Sequence, residues 1–76
     1  MSGRLPTLTA RQMIRALRRD GWYEVRQQGS HAQFHHDDKP GTVTVPMHGN
    51  RDLSRRLVDD ILTQAGLTRD ELRRLL

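Results

Sequence analysis

The chain contains no cysteine, which excludes a disulfide framework and a thiolate metal site. Aromatic side chains are scarce, with one Trp, one Tyr and one Phe. Three rings without clustering argue against a stacking surface for single-stranded RNA. No apolar run approaches the length of a membrane span, and the N-terminus lacks a signal-peptide h-region. The expectation is a cytoplasmic protein with no membrane association. Lysine is almost missing: Lys39 stands alone beside twelve arginines. Against nine acidic residues this leaves a net charge of +4 and a pI near 11.0. The arginine fork matches phosphate, so the balance favours a nucleic-acid or acidic-protein partner. The plain alternative is a basic soluble protein whose arginines reflect composition alone. Seventy-six residues allow one domain, 1–76. A core that small often gains stability from association, so a monomer or small oligomer is expected.

Apolar spacing and capping signals divide the chain into elements. Met1 to Pro6 reads as an extended lead. Thr9 caps a first helix, with Gln12 placed to complete a capping box. Ala10, Met13, Ile14 and Leu17 recur at helical spacing, and Gly21 stops the helix. Arg11, Arg15 and Arg18 occupy another stripe, either a solvated face or a partner-binding one. Trp22 to Gln28 reads as a first strand in which Tyr23 and Val25 share the face expected to be buried, with Trp22 packing at its entry. His31 to His36 is a second strand, Asp37 to Gly41 a polar turn, and Thr42 to Pro46 a third strand with Val43 and Val45 on one face. Short turns make the three an antiparallel meander. Ser54 caps a further helix carrying Leu57, Val58, Ile61, Leu62 and Ala65, which Gly66 ends. Thr68 and Glu71 form the capping box of a last short helix. The class is α+β: one sheet face covered by helices and the other partly open.

The chain is organised around Gln27-Gln28-Gly29-Ser30-His31-Ala32-Gln33-Phe34. Gly29 supplies the positive φ of a short hairpin, and Ser30 supports the turn. By the two-residue period, His31, Gln33 and His35 share one face and Ala32, Phe34 and His36 the other. Burying Phe34 therefore leaves His31 open. An imidazole there can exchange protons with a substrate near neutral pH; the alternative is a solvated surface histidine.

A wider pattern is also present. Leu5-Pro6, Asp20-Gly21-Trp22, Arg26-Gln27-Gln28-Gly29-Ser30-His31, Phe34, Val43-Thr44-Val45-Pro46-Met47-His48-Gly49 and Ile61-Leu62-Thr63-Gln64-Ala65-Gly66-Leu67 occur in that order. In this the chain resembles the HicA toxin family over nearly its whole length. The resemblance implies a fold similar to double-stranded-RNA-binding domains, α-β-β-β-α. It implies a ribosome-independent mRNA interferase of a type II toxin–antitoxin system, with a HicB-type antitoxin as partner. It also implies that His31, matching the family's glycine-serine-histidine, is catalytic. Two departures stand out. Ala32 follows the histidine where the family often has a bulkier or polar residue, which bears on substrate contacts. Arg51-Asp52-Leu53-Ser54 lacks a glycine often found before the second helix, which points to a different cap.

RNA brings its own nucleophile, the 2′-hydroxyl, so its cleavage needs proton transfer and positive charge at the phosphate but no cofactor. His31 suits the first task. Gly29, Ser30, Arg26 and Lys39 suit the second. His35, on the His31 face, and His48, in the turn after the third strand, are the candidates for a second acid or base. A histidine metal site is disfavoured because positions four apart on a strand lie about 13 Å apart. A non-catalytic double-stranded-RNA-binding module is the remaining alternative. It calls for a basic helix N-terminus, whereas the last helix begins Thr68-Arg69-Asp70-Glu71.

Overall fold

The structure, a computed structural model, describes residues 5–47 and 49–76. Its elements run α1 (Ala10–Arg19), β1 (Tyr23–Gln28), β2 (His31–His35), β3 (Val43–Pro46), α2 (Arg55–Ala65) and α3 (Arg69–Leu75). The three strands form one antiparallel sheet in the order β1-β2-β3. This is the expected α+β class with an open sheet, and the described order is α-β-β-β-α-α.

Each helix begins where the sequence supplies a cap. Thr9 accepts from the Gln12 backbone N–H at 3.2 Å, while Gln12 Oε1 accepts from the Thr9 N–H at 2.9 Å. Thr68 and Glu71 repeat the arrangement at α3. Ser54 caps α2 by accepting from the Leu57 N–H at 3.1 Å, so the missing glycine is replaced by a hydroxyl cap. These bonds satisfy donors that helix geometry leaves without partners.

One core lies between the helices and one sheet face. Met13, Leu17, Ile61 and Leu72 meet Phe34, Val43 and Val45, all at or below 1% exposure. Trp22 is buried at the entry to β1, as expected. At the turn from α1 into β1, Gly21 has φ +105°, and a Cβ there would stand 2.7 Å from His36 Nε2. Only a glycine fits both the conformation and that close approach.

The strand β1 departs from expectation. All six of its residues are exposed, including Tyr23 at 46% and Val25 at 45%. For Tyr23 the cause is a β-bulge between Glu24 and Arg26. A regular ladder counted back from Gln28 and His31 would set Val25 opposite Phe34, on the buried side. The bulge shifts the register so that Glu24 faces Phe34 and Tyr23 faces His35. One extra residue reverses which side chains face the core. In addition, the helices pack toward β3, leaving β1 as the uncovered edge. The edge at β3 is tended: Gln64 Oε1 accepts from the Thr44 N–H at 2.9 Å.

Candidate functional site

The hairpin joining β1 and β2 positions the site. Gln28 pairs with His31, so Gly29 and Ser30 are the whole loop. Gly29 has φ +56°, and no non-glycine residue described has a positive φ. A glycine with positive φ at the first loop position is the type II′ pattern, whose twist matches the strands. The loop is tied to the end of β3, since the Ser30 carbonyl accepts from the Met47 N–H. His31 thus sits at a fixed strand start rather than on a wandering loop.

Cross-strand partners share a face, which resolves the open side of the sheet into ranks. Gln28, His31 and Pro46 form the first. Arg26, Gln33 and Thr44 form the second. Tyr23 and His35 form the third, extended by Thr42, whose Oγ1 is 3.1 Å from His35 Nε2. His31 and His35 are exposed and Gln33 is half-buried, while Ala32 and Phe34 between them are buried at 1% and 0%. Ala32 therefore faces the helices. The departure at that position bears on core packing and not on the open face.

The candidate residues do not all come together. Gly29 and Ser30 adjoin His31 in sequence. Arg26 lies diagonally across the ladder, about 7–8 Å between Cα atoms, within the reach of its side chain. His35 is on the same face but about 13 Å along the strand, too far for both histidines to serve one phosphodiester. Lys39 lies beyond that far end of β2. Its Nζ donates to Asp20 Oδ2 at 2.7 Å and to the Ala65 carbonyl at 3.2 Å. It clamps the ends of α1 and α2 to the β2–β3 turn, a structural task that already engages its ammonium. His48 lies outside the described residues.

His36 has a separate, structural task. Its Nδ1 accepts from the Asp38 N–H at 2.9 Å, so Nε2 carries the proton and donates to the Asp20 carbonyl at 2.6 Å. Its ring meets Trp22 edge-on at 5.1 Å. At the opposite side of the third rank, the Tyr23 hydroxyl donates to Asp37 Oδ1 at 3.2 Å. That bond, strengthened by the negative charge of Asp37, raises the phenol above its ordinary pKa. Among the described residues, no three His, Cys, Asp or Glu side chains gather as metal ligands.

The arginines of α1 belong to the other layer. Ala10, Met13, Ala16 and Leu17 turn into the core, so Arg11, Arg15 and Arg18 face solvent on the helix side. A partner gripping both this stripe and His31 would have to reach around the β1 edge, where Arg18 Nη2 stands 3.9 Å from Glu24 Oε1. Arg69, the one basic residue in the first turn of α3, is held by Asp59 at 2.8 Å. That leaves α3 without the free basic N-terminus a double-stranded-RNA clamp would use.

Tyr23, expected in the core, and Gln28, given no role by the sequence, are neighbours of the candidate site. The two-residue loop was the available signal for Gln28, because it fixes the Gln28–His31 pair.

The fold is thus a small α+β domain whose open sheet face presents a histidine at a two-residue hairpin. Residues 10–67 match the family described as "HicA toxin of bacterial toxin-antitoxin". The chain belongs to the HicA toxin family. It is by that membership a toxin of a toxin–antitoxin system, and a HicB antitoxin is the partner implied. No curated protein matches the chain. Among the described residues, no helix is long and apolar enough to cross a membrane.

Proposed function

We propose that the open sheet face is the active site of an RNA endonuclease that cleaves mRNA, with His31 as its catalytic proton carrier. The observation that supports this best is the setting of His31. It is exposed at the start of a strand whose alternate residues are locked in the core. A proton carrier so held stays in place while its ring remains open to substrate.

The chemistry follows from the substrate. The 2′-oxygen bonds to phosphorus as the bond from phosphorus to the 5′-oxygen breaks. The products are a 2′,3′-cyclic phosphate and a 5′-hydroxyl. The proton leaving the 2′-hydroxyl passes to His31, and the 5′-oxygen takes one from water; with His31 charged at the start, the two roles reverse. Negative charge grows on the phosphate oxygens. The Gly29–Ser30 backbone N–H groups, the Ser30 hydroxyl and the Arg26 guanidinium, all close to His31 along the hairpin, are the groups that would receive it. No step calls for a resident metal or cofactor, because the nucleophile comes with the RNA.

The decisive experiment is RNA cleavage by wild type and His31→Ala with EDTA present. Wild type should cleave in EDTA, and His31→Ala should lose about 10²–10⁴-fold in rate. Full activity in the variant, or loss of wild-type activity in EDTA, would overturn the reading. The HicB partner acts here by covering the open face. Its complex should cleave RNA far more slowly than the free toxin, with no change in the toxin's fold.

A further inference from the structure

Tyr23 is an unusual side chain to leave in solvent. The residue is 46% exposed in a chain with only three aromatics. The bulge between Glu24 and Arg26 is what turns it out of the core and onto the open face. Its hydroxyl is fixed on Asp37 at 3.2 Å, so the ring is held at its far end. Its cross-strand neighbour His35 is exposed as well, with Nε2 directed to Thr42. Two ring-bearing residues therefore occupy paired positions at one end of the open face. His31 stands at the other end, and Arg26 lies on the rank between.

We propose that Tyr23 and His35 form a base-binding subsite for single-stranded RNA, occupied by a nucleotide beyond the scissile phosphate. The scarcity of Trp, Tyr and Phe argued against a stacking surface, but the register pairs Tyr23 with an imidazole that this count leaves out. The proposal rests on the nuclease reading of His31 and adds the residues that grip the substrate away from the cut. Every base has a π-face, so stacking on an exposed ring serves RNA of many sequences. Open sheet faces of RNA-binding domains use strand-borne aromatics in this way. A ring already held by a hydrogen bond loses little freedom on binding.

Geometry and charge fit one occupant. Ranks repeat about every 6.6 Å along the strands, comparable to the step of one extended nucleotide. With a phosphate at His31, the next rank offers Arg26 to the backbone and the third offers rings to a base. None of the residues in the three ranks is a carboxylate. Asp37, just beyond Tyr23, repels a phosphate but not a neutral base. The third rank therefore receives the base, while the backbone stays near Arg26.

The test uses an uncleavable probe, a labelled 2′-O-methyl RNA hexamer, read by fluorescence anisotropy. Tyr23→Ala should weaken binding about tenfold. Tyr23→Phe, which keeps the ring, should restore most of the affinity. A fully abasic hexamer should bind wild type about as weakly as the normal hexamer binds Tyr23→Ala. With cleavable RNA the Tyr23→Ala defect should fall mainly on KM. Equal affinity of Tyr23→Ala and wild type overturns the subsite, and so does a Phe variant as weak as the Ala variant. Failure of wild type to bind either hexamer also overturns it. Tyr23→Ala that binds RNA normally but loses the HicB partner assigns the rings to protein recognition instead. Cleavage by His31→Ala at the wild-type rate sinks the nuclease reading separately, leaving the anisotropy result to decide the subsite.

Discussion

The two faces of β2 are made by alternate residues of one short strand and meet opposite demands. Ala32 and Phe34 are buried at 1% and 0%, whereas His31 and His35 are exposed. No hydrogen bond ties His31 to a neighbouring side chain among the described residues; its place is set by the backbone ladder and by what Ala32 and Phe34 bury. Stability and chemistry are therefore separable here at single-residue resolution. A change on the helix side should be felt as stability. A change on the open side should be felt as activity.

The largest effects should come from residues three positions apart on that strand. Phe34→Ala opens a cavity in the core and should cost about 3–5 kcal/mol, a large share of what a domain this small holds. His31→Ala removes an exposed side chain and should leave stability within about 0.5 kcal/mol, while cleavage falls about 10²–10⁴-fold. Urea unfolding and an RNA cleavage assay on both variants check the pair. A His31→Ala protein that unfolds as readily as Phe34→Ala would erase the separation.

That separation was legible in the residues of β2 and much less so in β1. In β2, one aromatic and one alanine on a strict two-residue period fix the buried side, and the glycine turn fixes where the strand begins. The capping boxes at Thr9 and Thr68 were equally plain, because each needs only two residues three apart. The strand β1 offered Tyr23 and Val25 on one apparent face and was expected to bury them. The bulge that exposes Tyr23 is a ladder irregularity with no residue type of its own, so periodicity passes over it. The structural partners of Lys39 were hidden for a related reason. A lone lysine in a basic protein suggests phosphate, yet its partners, Asp20 and the Ala65 carbonyl, are 19 and 26 residues away in sequence. Only the fold brings them together.

The next effect tests the helix side at its tightest point. Gly21→Ala places a Cβ at φ +105° and 2.7 Å from His36 Nε2. Backbone strain alone costs about 1–3 kcal/mol, and moving His36 weakens its bond to the Asp20 carbonyl. The variant should melt well below wild type, yet cleave RNA normally at temperatures where it is folded. A melting point equal to wild type would mean that the α1–β1 turn relaxes without cost.

Lys39 carries the comparison to the far end of β2. Lys39→Ala breaks a partly buried ion pair and a bond to the Ala65 carbonyl, at a cost of about 1–2 kcal/mol. Cleavage should fall only as the folded fraction falls. Slower cleavage by fully folded Lys39→Ala protein would return the residue to the substrate and blur the division between the faces.

The smallest effect lies away from the open face, in the capping box of α3. The Glu71 carboxylate accepts from the Thr68 N–H at 2.8 Å. This bond, ahead of all other influences, holds its pKa below the ordinary 4.5. The folded chain thus binds that proton less tightly than the unfolded chain does. The contribution to stability is complete above pH 4.5 and is lost as pH falls through the folded value. The carboxylate is fully in solvent, so screening keeps the effect small. Other carboxylates titrate in the same range, and a variant is needed to isolate this one. Glu71→Gln removes the charge, and the stability gap between it and wild type should be widest at neutral pH and narrow as the solution is acidified. Urea midpoints of the two proteins at pH 7 and in steps below pH 4.5 measure that gap. A gap that stays constant or widens on acidification would show that the cap gains nothing from charge.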